Sequence, residues 1–190
     1  MSRPTTPSQT AGPYFGMALP WPDGPFATQP AAPGAIWISG RIIDGAGDPV
    51  PDALIETWQA DPDGRFDHAV GGDRTGQAGK GDGSFRGFAR CPTDADGHYA
   101  ILTLKPGRVV APDGRVQAPH LDVSVFARGL LKRVITRCYF ADEATANDED
   151  PVLAGIEPAA RATLVAERVE AGYRFDIHLQ GERETVFFEV

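Results

Sequence analysis

With 190 residues, 42% of them hydrophobic and 23% charged, the chain has the composition of one globular domain and hardly the length for two. The formal net charge of −8 argues against nucleic acid or an anionic membrane surface as the main partner. The N-terminus lacks the apolar core of a signal peptide, and no run approaches the ~18 apolar residues of a membrane span. Its two cysteines, Cys91 and Cys138, are expected to be buried free thiols, and we expect a cytoplasmic protein.

The N-terminal segment 1–34 is rich in Pro, Gly and Thr and shows no hydrophobic periodicity. We predict an extended arm, which needs a surface to lie on and which we expect to pack on a partner chain. Residues 35–190 are predicted to form the folded domain.

Short strand-like runs separated by turn residues occupy most of this domain. In chain order they are AIWISGRIID (35–44), LIETWQA (54–60), FRGFARCPTD (85–94), GHYAILTL (97–104), HLDVSVFAR (120–128), RVITRCYF (133–140), YRFDIHLQ (173–180) and TVFFEV (185–190). The Gly-rich stretch 71–84 is predicted to be a loop. Such a series predicts a mostly-β, mixed-topology sandwich.

One helix is predicted, over residues 158–170 near the C-terminus. Pro158 suits the first helical position, and Leu164, Val165 and Val169 fall roughly on one face.

The run QAPHLDVSVFARG (117–129) alternates strictly, so that His120 and Asp122 point to one face of a strand and Leu121 and Val123 to the other. Two interpretations are open. A metal site of two histidines and one carboxylate, using His120, Asp122 and His178, would hold Fe(II) for an oxygenase. A hydrogen-bonded core histidine beside an ordinary aspartate fits the same residues.

A second class of protein also fits the turns and strands. The stretches GRIIDGAGDPVPDALIETWQAD (40–61) and TDADGHYAILTLKPG (93–107) resemble transthyretin-like or carboxypeptidase-regulatory β-modules. Modules of that kind bind or support other proteins and carry no chemistry of their own.

Several longer stretches together resemble one enzyme family over nearly the whole chain. They are TPSQTAGPY (6–14), GRIIDGAGDPVPDALIETWQADPDGRF (40–66), TDADGHYAILTLKPG (93–107), APHLDVSVFARG (118–129), TRCYFADE (136–143), DPVL (150–153) and YRFDIHLQGERETVFFEV (173–190). The family is that of the intradiol ring-cleaving dioxygenases. The arm, FARG and TRCYF resemble the alpha chains of its two-subunit members.

The resemblance implies where a metal would be bound, since catalytic chains of the family hold Fe(III) with two Tyr and two His. Val109 stands at the position of one Tyr, and no Tyr occurs between positions 14 and 99 to supply the other. His120 matches one ligand, whereas Asp122 replaces the second His and Gln117 replaces the family's catalytic Arg. The resemblance therefore implies a degenerate site with no catalytic residue and no metal in this chain.

The same resemblance implies a homologous beta subunit that holds Fe(III) and cleaves protocatechuate (3,4-dihydroxybenzoate) with O2. Units of one alpha and one beta chain are expected to form a higher oligomer. Residues of the alpha chain lie at the mouth of the partner's site, which implies substrate-binding roles for Thr10, Tyr14 and Arg137, with Arg137 expected to bind the substrate carboxylate. Arg133, four residues before Arg137 on the predicted strand, faces the same side and is expected either to share this role or to pair with acidic side chains. An interface-packing tyrosine and solvated arginines are the alternative interpretations.

Overall fold

A computed structural model of the chain describes residues 19–20, 22–66 and 85–189. Thr10, Tyr14 and the segment 71–84 predicted as a loop lie outside these residues.

The described residues form short strands in most of the places where alternation predicted them. Their bounds are β1 Ala35–Ile43, β2 Leu54–Trp58, β3 Phe88–Pro92, β4 His98–Leu104, β5 Val109–Val110, β6 Val116–Gln117, β7 His120–Phe126, β8 Val134–Phe140, β9 Val165–Val169, β10 Gly172–Arg174 and β11 Ile177–His178.

Nine of these strands make one sheet in the order β11-β1-β10-β9-β8-β7-β2-β3, with β4 on the other edge of β1. The pairs β1–β10, β1–β11 and β8–β9 are parallel and the remaining pairs are antiparallel. β5 and β6 form a separate hairpin that leads into β7. The prediction of a mostly-β fold with mixed topology is confirmed.

The segment 24–28 closes the gap between the two free edges of the sheet. Ala27 N–H donates to Leu102 O of β4 at 2.8 Å, and Arg90 N–H of β3 donates to Gly24 O at 2.8 Å. Ala27 and Thr28 are buried. Unpaired strand edges attract other chains, so this closure protects β3 and β4. This part of the predicted arm therefore lies on its own domain, and packing of the preceding residues on a partner stays a prediction.

The predicted helix over 158–170 is wrong in its extent. Helix α2 covers Pro158–Arg161 and begins with proline at its first turn, as predicted, but a 3₁₀ turn follows over Ala162–Leu164. The next residues form β9, which pairs with β8 and β10. Leu164, which resembled part of a helical stripe, is a buried residue of this turn, and Val165 and Val169 lie in the strand. The helix was predicted because a short apolar run fits the period of a helix as well as that of a strand.

Two further differences lie near the C-terminus. Helix α1, Ala144–Glu149, was not predicted, because Ala146 is its only buried residue and no apolar periodicity marks it. The predicted strand over 185–190 is wrong for the described residues 185–189, which run irregularly and reach the sheet through Phe188 N–H to Ile135 O at 2.8 Å.

Two cores result from this arrangement. The main core takes Leu121, Val123 and Val125 from β7, which confirms the predicted alternation, together with the buried free thiols Cys91 and Cys138. A smaller core lies between the opposite face of β8 and the segment 144–164; it contains Ala118, Tyr139, Ala146, Leu153 and Leu164. None of the described helices is long and apolar enough to cross a membrane.

Candidate functional site

The candidate site lies where β7 and β8 pair, beside the smaller core. Their antiparallel register places His120 opposite Tyr139 and Asp122 opposite Arg137. Directly opposed residues point to the same face of a sheet at close range, so four polar side chains converge here. The β5–β6 hairpin adds Gln117, which pairs with Val109.

Arg137 stands at the centre of this group. Its Nε–H donates to Asp122 Oδ1 at 2.9 Å, and its Nη1 donates to Gln117 Oε1 and to the Tyr139 hydroxyl, both at 3.4 Å. Only 20% of its side chain is exposed. Burial by itself would lower the pKa of Arg137, but the hydrogen bond to Tyr139 and the charge of Asp122 outweigh it and raise that pKa. The guanidinium is therefore a permanent positive charge within the site.

His120 is a buried, neutral imidazole. Its Nδ1 lies 2.7 Å from Ala118 O, and since a carbonyl only accepts, Nδ1 carries the proton. Its Nε2 lies 3.9 Å from Asp122 Oδ1. Burial, and then the positive charge of Arg137, lower the pKa of His120. Nε2 is consequently an unprotonated acceptor that faces Asp122 Oδ1, itself an acceptor, without a hydrogen bond between them.

Asp150, which the sequence did not single out, holds the loop before β7 against the segment after α1. Its Oδ2 accepts the Ala118 N–H at 2.7 Å, and its Oδ1 accepts the N–H groups of Val152 at 2.8 Å and Leu153 at 3.0 Å. The Tyr139 hydroxyl also donates to Oδ1, at 3.4 Å. The carboxylate is fully buried, so these donors replace its hydration.

The donor set does not fit the ferric ion that the resemblance implies for catalytic chains. Fe(III) needs several hard anionic ligands around an open centre, whereas Val109 offers no donor atom and Asp122 is paired with Arg137. Burial raises the pKa of Tyr139 far above its usual range, which keeps it a neutral phenol. A fixed guanidinium lies where these side chains meet, and it would repel a metal cation.

The alternative Fe(II) site is wrong. His178 lies in β11, which pairs with β1, and among the described residues it forms no close group of ligand-type side chains with His120 and Asp122. Within residues 22–66 and 85–189 one group of three ligand-type side chains is close enough for a metal, and it is the exposed set Asp94, Asp96 and His98. Asp94 Oδ1 there already accepts the N–H groups of Asp96 and His98, each at 2.9 Å, as in an ordinary turn.

Comparison with known proteins decides the family. A family model described as Dioxygenase matches residues 11–181. The chain is 43% identical to the protocatechuate 3,4-dioxygenase alpha chain of Pseudomonas putida, over 98% of this chain and 96% of that one. It is also 35% identical to the protocatechuate 3,4-dioxygenase beta chain of Burkholderia cepacia, over 79% of this chain and 66% of that one. The chain is a member of the intradiol ring-cleavage dioxygenase family.

A solved structure of a dioxygenase domain agrees with this assignment. The dioxygenase domain of a carbohydrate-binding fusion protein from Streptomyces sp. SirexAA-E superposes with a TM-score of 0.57 at 26% identity, over 93% of this chain and 98% of that one. The predicted resemblance to the family, and to its alpha chains, is confirmed by the family model and by the identity to the Pseudomonas putida alpha chain.

The structure brings some of the predicted site residues together and places others apart. Gln117, His120, Asp122 and Arg137 come together, and Val109 is the partner of Gln117 across the β5–β6 hairpin. Arg133 is exposed and lines a separate cleft with Phe187 and Phe188. Tyr139 was recognisable in the sequence, because it lies two residues after Arg137 on the same face; Asp150 carried no local signal.

Proposed function

We propose that the chain is the non-catalytic alpha subunit of a cytoplasmic protocatechuate 3,4-dioxygenase. A homologous beta subunit holds the Fe(III) and cleaves the ring of protocatechuate between its two hydroxylated carbons, with O2, to 3-carboxy-cis,cis-muconate. The observation that carries this proposal is the set of side chains at the candidate site, where Val109 offers no donor atom and Asp122 is already paired with Arg137. The identity to a relative named as an alpha chain, over nearly the full length of both, supports it.

The alpha subunit would serve as a structural and substrate-binding partner in alpha–beta units of a larger oligomer. Thr10 and Tyr14 of the arm, together with Arg133 and Arg137, are the side chains it would lend to the mouth of the partner's site. Of the two arginines, Arg133 is assigned the contact with the carboxylate of protocatechuate, because it is exposed. Arg137 already donates to Asp122, Gln117 and Tyr139.

Purification of the chain with and without a beta partner tests the proposal. We expect the chain alone to carry no stoichiometric iron and to show no ring cleavage. The co-expressed complex should contain about one iron per alpha–beta unit, show the colour of tyrosinate–Fe(III) charge transfer, and release carboxymuconate. Tight stoichiometric iron, or ring cleavage, in the chain alone would contradict the assignment.

Removal of the exposed cation is expected to weaken binding of the substrate without slowing the chemistry. In the complex, Arg133→Ala should cost about 1–3 kcal/mol of binding, the range for a charged hydrogen bond, and so raise KM for protocatechuate roughly 5- to 150-fold. The value of kcat should change little, since the proposal places the reacting centre on the other chain. Steady-state kinetics of the complex measure both constants.

Two controls make this result specific. Lys132→Ala removes the neighbouring cation of the same cleft and should leave KM nearly unchanged. Catechol, which lacks the carboxylate, should respond to neither substitution. An unchanged KM for protocatechuate in Arg133→Ala would show that this arginine does not bind the carboxylate.

A further inference from the structure

The cluster of β7 and β8 contains side chains that commonly bind metals. A histidine nitrogen and a carboxylate oxygen, His120 Nε2 and Asp122 Oδ1, lie 3.9 Å apart. Two ligands at roughly 2.1 Å from one ion fit such a separation. The Tyr139 hydroxyl and the Gln117 amide oxygen lie on the same side, since both are within hydrogen-bonding reach of the guanidinium.

Arg137 is hydrogen-bonded to three of these groups, Asp122, Gln117 and Tyr139, and the fold holds it there. Asp122 lies directly opposite Arg137 in the β7–β8 register. Pairing of the two strands therefore brings the side chains together, and Arg137 Nε lies 2.9 Å from Asp122 Oδ1. The side chain is four-fifths covered, which distinguishes it from the exposed arginines elsewhere on the surface, such as Arg128 and Arg168, both 68% exposed. A guanidinium in this position supplies the one positive charge that the carboxylate needs.

We infer that Arg137 is a built-in substitute for a metal ion: its guanidinium neutralises Asp122, fills the space between the potential ligands and keeps this subunit from binding a metal. The inference rests on the proposed function only in taking this chain to be the subunit without iron. It assigns Arg137 a role inside the alpha chain, in addition to any contact with substrate.

Removing the guanidinium is then expected to create a metal site. The full chain, in complex with its beta partner, is dialysed against zinc and the zinc content is counted per alpha–beta unit, separately from iron. The wild-type complex should retain no zinc in this chain. Arg137→Ala should retain about one zinc per unit, bind zinc at least roughly tenfold more tightly than wild type, and gain melting temperature when zinc is added.

Matched variants separate the charge of Arg137 from general damage. Arg137→Lys keeps a positive charge and should stay zinc-free, and Arg133→Ala, the same change at a nearby exposed cation, should gain no zinc. Arg137→Ala combined with Asp122→Ala removes a ligand as well and should lose the acquired zinc. If Arg137→Ala does not fold, Arg137→Gln retains donors to Asp122 without the charge and should show the same gain.

Three results would overturn the inference. They are stoichiometric zinc in the wild-type alpha chain, no gain of zinc in a folded uncharged variant, and retention of the acquired zinc after loss of Asp122. Iron content and ring cleavage of the same preparations report on the proposed function independently. A failure of the zinc experiment in an active, iron-containing complex therefore contradicts the role of Arg137 and leaves the subunit assignment intact.

Discussion

Replacement of Asp150 by alanine is expected to lower the free energy of unfolding by about 3–5 kcal/mol, because several buried donors lose their acceptor together. The N–H groups of Ala118 and Leu153 point at this carboxylate at 2.7 and 3.0 Å, and Val152 does so at 2.8 Å. Each buried N–H left without an acceptor costs about 1–3 kcal/mol. Urea unfolding followed by circular dichroism measures the loss.

The neighbouring acidic residue supplies a control for the Asp150 variant. Asp148 lies in α1 and is exposed, so Asp148→Ala should change stability by less than about 0.5 kcal/mol. Asp150→Asn preserves the shape and one acceptor oxygen, and it should fall between alanine and wild type. A loss below about 1 kcal/mol in Asp150→Ala would mean that water satisfies these N–H groups and that the loop before β7 does not depend on the carboxylate.

Gly40→Ala is expected to be the most damaging single substitution in the described part of the chain. A Cβ at this position of β1 would lie 1.9 Å from Phe175 O and 2.5 Å from Phe175 C, far inside van der Waals contact with backbone. Phe175 cannot withdraw easily, because its N–H donates to Ser39 O at 2.7 Å and its carbonyl accepts the Tyr99 hydroxyl at 2.6 Å. We expect a loss of more than about 4 kcal/mol, which is exceptional for one residue.

The measurement for Gly40→Ala is thermal unfolding of the purified chain, or the soluble yield of the complex if the variant does not accumulate. Gly155→Ala is the matched control, since nothing lies within 4 Å of its added Cβ and its φ is not positive. That variant should be near wild type. An unchanged melting temperature in Gly40→Ala would contradict this prediction. It would mean that β1 and the backbone at Phe175 can move apart to accommodate the added Cβ.

The wrong prediction of a helix over 158–170 shows that a local apolar pattern does not by itself fix the secondary structure. Pro158 marked the start of α2 correctly, but the valines after Leu164 belong to a strand because β8 and β10 provide edges on either side of it. Tertiary partners override weak local preference in such a segment. Helix α1 is the opposite case, a helix that no local pattern predicts. It forms in the segment after β8, although it has a single buried residue and no apolar periodicity.

The amino-acid sequence by itself determined the alternation of β7 and the mostly-β class, and its resemblance to the family implied the replacement of metal ligands at Val109 and Asp122 and of the catalytic Arg at Gln117. The alternation and the fold class follow from residue type at fixed spacing, because side-chain period is a local property. Only the tertiary structure decided that Arg137 stands among His120, Asp122 and Tyr139, and that a distant Asp150 holds their loop in place. Those contacts depend on strand register and on a return of the chain 32 residues after Ala118, which no local pattern encodes.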